Sequence, residues 1–261
     1  MQILSWQDRA VRDALRHIKR HKPFCYGLTN YIAANLSANV LLAVGAGPAI
    51  GAALDWQTAF GRHANALWIN AACLMSNSPH EVRQAARAAH EAGVPWVLDP
   101  VAVGAGAAEY DRVVQGLLDF KPTAIRGNAS ELIALAGGNG GGKGVETTLT
   151  SQDALPFIEA FSRSQNTLTA VSGPIDFITD GQKTLAVEGG DIRLTQVTGA
   201  GCSLGALTAA FLTTSIDTLT AVTAAHVLYA KASERASDAR GTGSFAVKFL
   251  DELSLLNPEI A

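Results

Sequence analysis

The stretch from Val197 to Ala210, Val-Thr-Gly-Ala-Gly-Cys-Ser-Leu-Gly-Ala-Leu-Thr-Ala-Ala, opens with glycines and continues into small apolar residues that read as a buried helix. The backbone N–H groups of Ala200, Gly201 and Cys202 would then lie at the helix start. Such a start has unpaired donors and a partial positive charge, and together these make an anion site. A leucine-sized side chain at Gly199 or Gly201 would keep an anion from reaching the backbone. Cys202 falls in the first turn, where a helix N-terminus favours the thiolate, although a free cysteine on an apolar helix also serves as a small core residue. A glycine-rich turn leading into a core helix accounts for the same letters, so other segments have to decide.

Two carboxylates stand out among those segments. Asp99 ends the apolar run Pro95 to Leu98, and hard oxygen ligands of its kind suit magnesium bound to phosphates. Glu131 is either a second such ligand or the partner of Asn128 in a helix-capping box, Asn128-Ala-Ser-Glu131. Two nucleotide motifs are excluded. Gly137 to Lys143 has the spacing Gly-x4-Gly-Lys of a P-loop, but Gly144 stands where Ser or Thr must hold magnesium, and a helix precedes it instead of a strand. A surface loop is the simpler reading of that cluster. Gly199-Ala-Gly-Cys-Ser-Leu-Gly205 has one residue too many for a dinucleotide fingerprint and lies too late in the chain.

These residues sit in a chain of 261 residues, 48% hydrophobic and 16% charged, with material for a large core and little charged surface. Neighbouring subunits covering part of the surface would fit that thin charge. Folds of alternating strands and helices run to ~250 residues as one domain, and no linker divides this chain, so one domain over residues 1–261 is expected. A net charge of −3 points to neither nucleic acid nor a membrane surface. The six His and three Cys lack zinc-site spacing, and so sparse a cysteine count fits a reducing cytoplasm. Asp8, Arg9, Arg12, Asp13 and Arg16 exclude a secretory signal core, and the charge-free span Leu194 to Ile216 is too polar to cross a membrane. A cytoplasmic location is expected.

The positioning elements follow from pattern. Ser5 with Asp8, Ser78 with Glu81, Asn128 with Glu131 and Thr150 with Asp153 predict helix starts. Asn35 to Ala46 predicts a further helix, as do Glu109 to Leu118, Thr218 to Ala236 and Phe245 to Leu256. Strands are predicted at Phe24 to Thr29, Ala66 to Ile69, Pro95 to Leu98, Thr123 to Arg126 and Thr167 to Ser172. An antiparallel hairpin at one edge is predicted from Phe177 to Thr179 and Thr184 to Val187 around Asp180-Gly181. Alternating strands and helices imply an α/β fold, a mostly parallel sheet covered on both faces, with ligands at the strands' carboxyl ends. Asn30, Asp99, Arg126 and Ser172 all fall at or just beyond such ends.

Taken together, the segments resemble the hydroxyethylthiazole kinase family of thiamine salvage. The matches are Leu28-Thr-Asn30, Asn35 to Asn39, Gly45-Ala-Gly-Pro-Ala49, Trp96-Val-Leu-Asp-Pro-Val-Ala-Val-Gly104, Ala124-Ile-Arg-Gly-Asn-Ala-Ser-Glu131, Val171-Ser-Gly173 and Val197-Thr-Gly-Ala-Gly-Cys202, in the family's order. The resemblance implies a ribokinase-like three-layer α/β/α fold and ATP-dependent phosphorylation of the thiazole's hydroxyl. It implies ATP contacts at Arg126 and Ser172, a thiazole site at Asn30, Ile50 and Gly199, and a magnesium site at Asp99 and Glu131. Cys202 takes the position of the superfamily's catalytic base, and a homotrimer with sites between subunits is implied. Gly47, Ile50, Ala200 and Gly205 stand where the family usually has Ser, Met, Thr and Ser. Those departures leave room for a related kinase of another small alcohol, an ATP-dependent repair enzyme, or a non-catalytic thiazole- or ATP-binding protein.

Overall fold

Short apolar runs with no polar alternation form strands buried on both faces, and here they make one sheet. The computed structural model describes residues 1–138 and 149–260. Its strands are β1 (Gln2–Ile3), β2 (Phe24–Leu28), β3 (Gly47–Ile50), β4 (Ala66–Asn70), β5 (Trp96–Asp99), β6 (Ala124–Asn128), β7 (Leu168–Ser172), β8 (Ile175–Thr179) and β9 (Thr184–Glu188). They lie in the order β1-β9-β8-β7-β6-β5-β4-β2-β3. Only β8 runs against the others among the described residues.

Helices cover both faces. One core joins the sheet to α1 (Arg9–His21), α2 (Ala34–Val44), α8 (Ala200–Phe211), α9 (Thr218–Arg235) and α10 (Thr242–Leu255). The other joins it to α3 (Trp56–His63), α4 (Pro79–Ala92), α5 (Ala108–Gln115), α6 (Ala129–Leu135) and α7 (Ser151–Gln165). This is the three-layer α/β/α arrangement. No helix of the described residues is long and apolar enough to cross a membrane.

The capping boxes at Ser78–Glu81, Asn128–Glu131 and Thr150–Asp153 all form. Ser5 and Asp8 do not cap as expected. The Ser5 N–H donates to the Asp8 carboxylate at 2.7 Å in a turn that precedes α1, which begins only at Arg9. The hairpin β8–β9 is antiparallel but is not the sheet edge, because the two-residue β1 pairs in parallel outside β9. The strand β3 was not expected. Gly47-Pro48-Ala49-Ile50 has little strand propensity, and Pro48 is tolerated because β3 is an edge strand beside β2. The glycine cluster at 137–144 lies, from Asn139 on, outside the described residues.

Register brings the chemistry together. Asn70 pairs with Asp99 across β4 and β5, and Asn128 pairs with Ser172 across β6 and β7. Close packing sets this centre. A Cβ on Gly27 of β2 would sit 2.1 to 2.4 Å from ring atoms of the buried Trp68 on β4. Gly27→Ala is therefore expected to destabilise the fold by about 1–3 kcal/mol through overpacking. Thermal unfolding checks this, and an unchanged melting temperature would contradict the packing.

Candidate active site

At the carboxyl end of the sheet, five neighbouring strands deliver polar side chains that hydrogen-bond in series. Asn30, just past β2, donates from Nδ2 to Oδ1 of Asn70 at 3.3 Å. Asn70 donates to Oδ2 of Asp99 at 3.1 Å. Arg126 of β6 donates from Nη1 to the same Oδ2 at 3.2 Å and from Nη2 to the Ser172 hydroxyl of β7 at 2.8 Å. Asn30, Asn70, Asp99 and Arg126 are all buried. Oδ1 of Asp99 is buried too and has no partner among the described residues.

The first turn of α8 lies over this row. Gly199, its N-cap, has φ +83°, and a Cβ there would lie 3.1 Å from Ala33, so both backbone and space call for glycine. The Ala200 N–H is taken by the Val197 carbonyl at 3.1 Å, and the Ser203 N–H by Gly199 at 2.8 Å. The amides of Gly201 and Cys202 have no partner among the described residues, so two of the three expected donors are open. The turn is held from below. Nη1 of Arg126 donates to the Gly201 carbonyl at 2.7 Å, and the Tyr229 hydroxyl of α9 donates to the Ala200 carbonyl at 2.7 Å.

Cys202 is half-buried, with Sγ 3.8 Å from the Asn30 carboxamide nitrogen. Its thiol differs from the thiolate reading. Burial and the Asp99 charge push it up to about 11, against the opposing pull of Arg126, Asn70 and Asn30. A helix N-terminus favours the thiolate, and here desolvation outweighs that. At neutral pH the sulfur carries its proton.

The capping reading of Glu131 is the one the structure shows. It completes the cap, accepting the Asn128 N–H at 2.9 Å, and it also accepts the Ala102 N–H at 3.0 Å. It is buried, and burial with the nearby Asp99 charge pushes its carboxyl up to about 7. Burial likewise raises Asp99, while Arg126 and Asn70, which donate to it, pull the other way. No cluster of three or more His, Cys, Asp or Glu suited to a metal occurs among the described residues. One buried carboxylate with a bare oxygen, with a second nearby, could hold a hard cation that takes water and phosphate as its other ligands.

The structure thus joins Asn30, Asp99, Arg126, Ser172 and Cys202 in one network, with Gly199 above it and Glu131 behind. Ile50 ends β3 at the same side of the sheet, half-buried, with no polar link to the network. Asn70 is a member that sequence reasoning missed. The signal was present, since it follows the strand predicted at Ala66 to Ile69. Asp176 and His226 were missed as well. Asp176 accepts the Gly173 N–H at 2.9 Å, holding the turn after Ser172, and meets Nδ1 of the buried His226 at 2.6 Å.

With this geometry in place, comparison with known proteins is informative. A model of the hydroxyethylthiazole kinase family matches residues 15–259. A curated hydroxyethylthiazole kinase of Burkholderia pseudomallei (strain 668) is 64% identical over 99% of this chain and 94% of its own length. A solved structure of hydroxyethylthiazole kinase protein from Pyrococcus horikoshii OT3 superposes with a TM-score of 0.86 at 34% identity, covering 96% of this chain and 94% of that one. A ribokinase-like superfamily protein from Enterococcus faecalis V583 superposes with a TM-score of 0.65 at 11% identity, covering 97% and 95%, and shares the fold.

The raised thiol generates a direct prediction. Alkylation of Cys202 by iodoacetamide should be slow at neutral pH and rise roughly tenfold per pH unit up to at least about pH 9.5, because only the thiolate reacts. Cys25 and Cys73, buried and both pushed up to about 12, should stay unlabelled in the folded protein. Peptide mass spectrometry of labelled protein reads this out, and a rate profile with its midpoint near about pH 8.5 would show an ordinary thiol.

Proposed function

The chain belongs to the hydroxyethylthiazole kinase family, and we propose on that footing that it transfers the γ-phosphoryl group of ATP to the hydroxyl of 4-methyl-5-(2-hydroxyethyl)thiazole. The products are the thiazole phosphate and ADP, formed in thiamine salvage. The observation that carries this reading is the meeting, at one sheet end, of open amides at the start of α8 with a buried carboxylate, a guanidinium and a thiol. The chain acts as one domain of residues 1–261, in the cytoplasm.

Phosphoryl transfer with a loose transition state needs chiefly positioning and charge neutralisation. The Gly201 and Cys202 amides receive phosphate oxygens, and Arg126 and Ser172 serve the ATP side. Asn30, Ile50 and Gly199 line the thiazole site, where Ile50 keeps the wall apolar but is stiffer than methionine. Asp99, with its bare Oδ1, and Glu131 would serve a magnesium site, and the ion would supply neutralisation of charge on the phosphate oxygens. The thiazole oxygen attacks the γ-phosphorus as the bond to the bridging oxygen of ADP breaks. Its proton passes to Cys202 in the small thiolate fraction. A small thiolate population suffices because the alcohol gives up its proton late.

Tyr31 and Ile32 between β2 and α2, Leu42 on α2 and Leu54 after β3 are large and exposed, Leu54 by 98%. They support a homotrimer whose subunits meet along that edge and complete the thiazole site. Light scattering should then give three times 27.2 kDa.

Purified protein with ATP, magnesium and the thiazole should yield thiazole phosphate by mass spectrometry, and a chelator should abolish it. Thiazole binding without product would indicate a binding protein, and neither would point to another alcohol. Cys202→Ala should slow turnover by roughly tenfold, below the 10²–10⁴ of a strong general base, and leave measurable activity. Wild-type turnover in that variant would remove Cys202 from the mechanism. Arg126→Ala should raise the Michaelis constant for ATP, and an unchanged value would refute its role.

A further inference from the structure

The two carboxamides in the network have no freedom to flip. Oδ1 of Asn30 accepts the Ala33 N–H at 2.8 Å, and Oδ1 of Asn70 accepts the Ala72 N–H at 3.2 Å. A main-chain N–H can only donate, so each oxygen must face the backbone and each NH₂ must face away. The Asn30 NH₂ thus meets the Asn70 oxygen and the Cys202 sulfur, and the Asn70 NH₂ meets Oδ2 of Asp99. The donor direction runs one way, from two main-chain turns toward the carboxylate. Arg126 also donates to Oδ2, so both donors to Asp99 fall on one oxygen and Oδ1 is left bare.

We propose that Asn70 is a positioning residue for phosphoryl transfer, turning the Asp99 carboxylate so that Oδ1 faces the transferred phosphate and holding the Asn30 NH₂ against Cys202. This rests on the kinase reading above. Asn70 is fully buried. Its other task is local, since it caps the 3₁₀ turn Ala71–Met75 through the same Oδ1. The cap and the hold on Asn30 share Oδ1, whereas the contact with Asp99 uses the NH₂ alone, so substitution can separate the Asp99 contact from the cap.

Asn70→Asp keeps the shape and the capping oxygen but replaces the fixed N–H with a second carboxyl oxygen, which must repel the Asp99 carboxylate or share a proton with it. Asn70→Ala removes cap and donor together. With wild-type protein, magnesium, ATP and thiazole as reference, kcat of Asn70→Asp should fall about 10- to 100-fold, the usual cost of losing a partner that orients a carboxylate ligand. The Michaelis constant for thiazole and its calorimetric affinity should stay within about threefold of wild type, the small change expected when uniform ground-state binding is intact. The aspartate variant should be at least as slow as the alanine variant. A purely capping or packing residue gives the reverse order, with aspartate near wild type, and that result would overturn the proposal. Loss of the thermal transition and of thiazole binding in both variants would make Asn70 a structural residue and overturn it equally. If only the aspartate variant fails to fold, the alanine variant decides, supporting the proposal by slow turnover with thiazole bound and refuting it by wild-type turnover. A wild-type protein that forms no thiazole phosphate would remove the kinase reading itself, a failure visible before any variant is made.

Discussion

Arg126 carries a permanent charge into the middle of the sheet, and its surroundings are arranged to make that tolerable. Its strand, β6, lies between β5 and β7, so the side chain can reach a neighbour on each side and the helix above. It spends those reaches on the Asp99 carboxylate, the Ser172 hydroxyl and the Gly201 carbonyl. Removing one partner of a buried ion pair leaves the other uncompensated, at a cost of about 3–5 kcal/mol. The same contacts fix the height and tilt of α8. The site and the packing beneath it therefore depend on one group.

That dependence explains the composition of α8. Everything from Ser203 to Phe211 is buried, and the side chains nearest the sheet are small. A Cβ on Gly205 would come 3.5 Å from Oδ2 of Asp99, ordinary contact, but anything longer would press into the ion pair. Close seating also removes water from Cys202. The thiol beside a helix start consequently titrates as a buried group.

Much of this was legible in the sequence, for physical reasons that differ by element. The capping boxes at Ser78, Asn128 and Thr150 are local, each decided within four residues, and they formed. Asn30, Asp99, Arg126 and Ser172 were found because a parallel sheet puts its ligands at strand ends. The edge strand β3 was hidden because its pairing with β2, and not its own composition, makes Gly47-Pro48-Ala49-Ile50 extended. Asn70 was hidden for a related reason. Its partners Asn30 and Asp99 lie 40 and 29 positions away, and only register makes them neighbours. The two readings of the Cys202 thiol could not be decided in the sequence because burial is a property of the assembled site.

The polarity of the network is written in the main chain at Ala33 and Ala72. An alanine scan of this site would leave both residues untouched, being alanine already, and would credit the whole arrangement to the side chains it removes. What those two positions supply is an N–H, which every amino acid but proline also has. Ala33 is itself kept small by its close approach to Gly199, but its N–H and that of Ala72 would point the same way from any residue except proline, so the orientation of the site descends with the backbone.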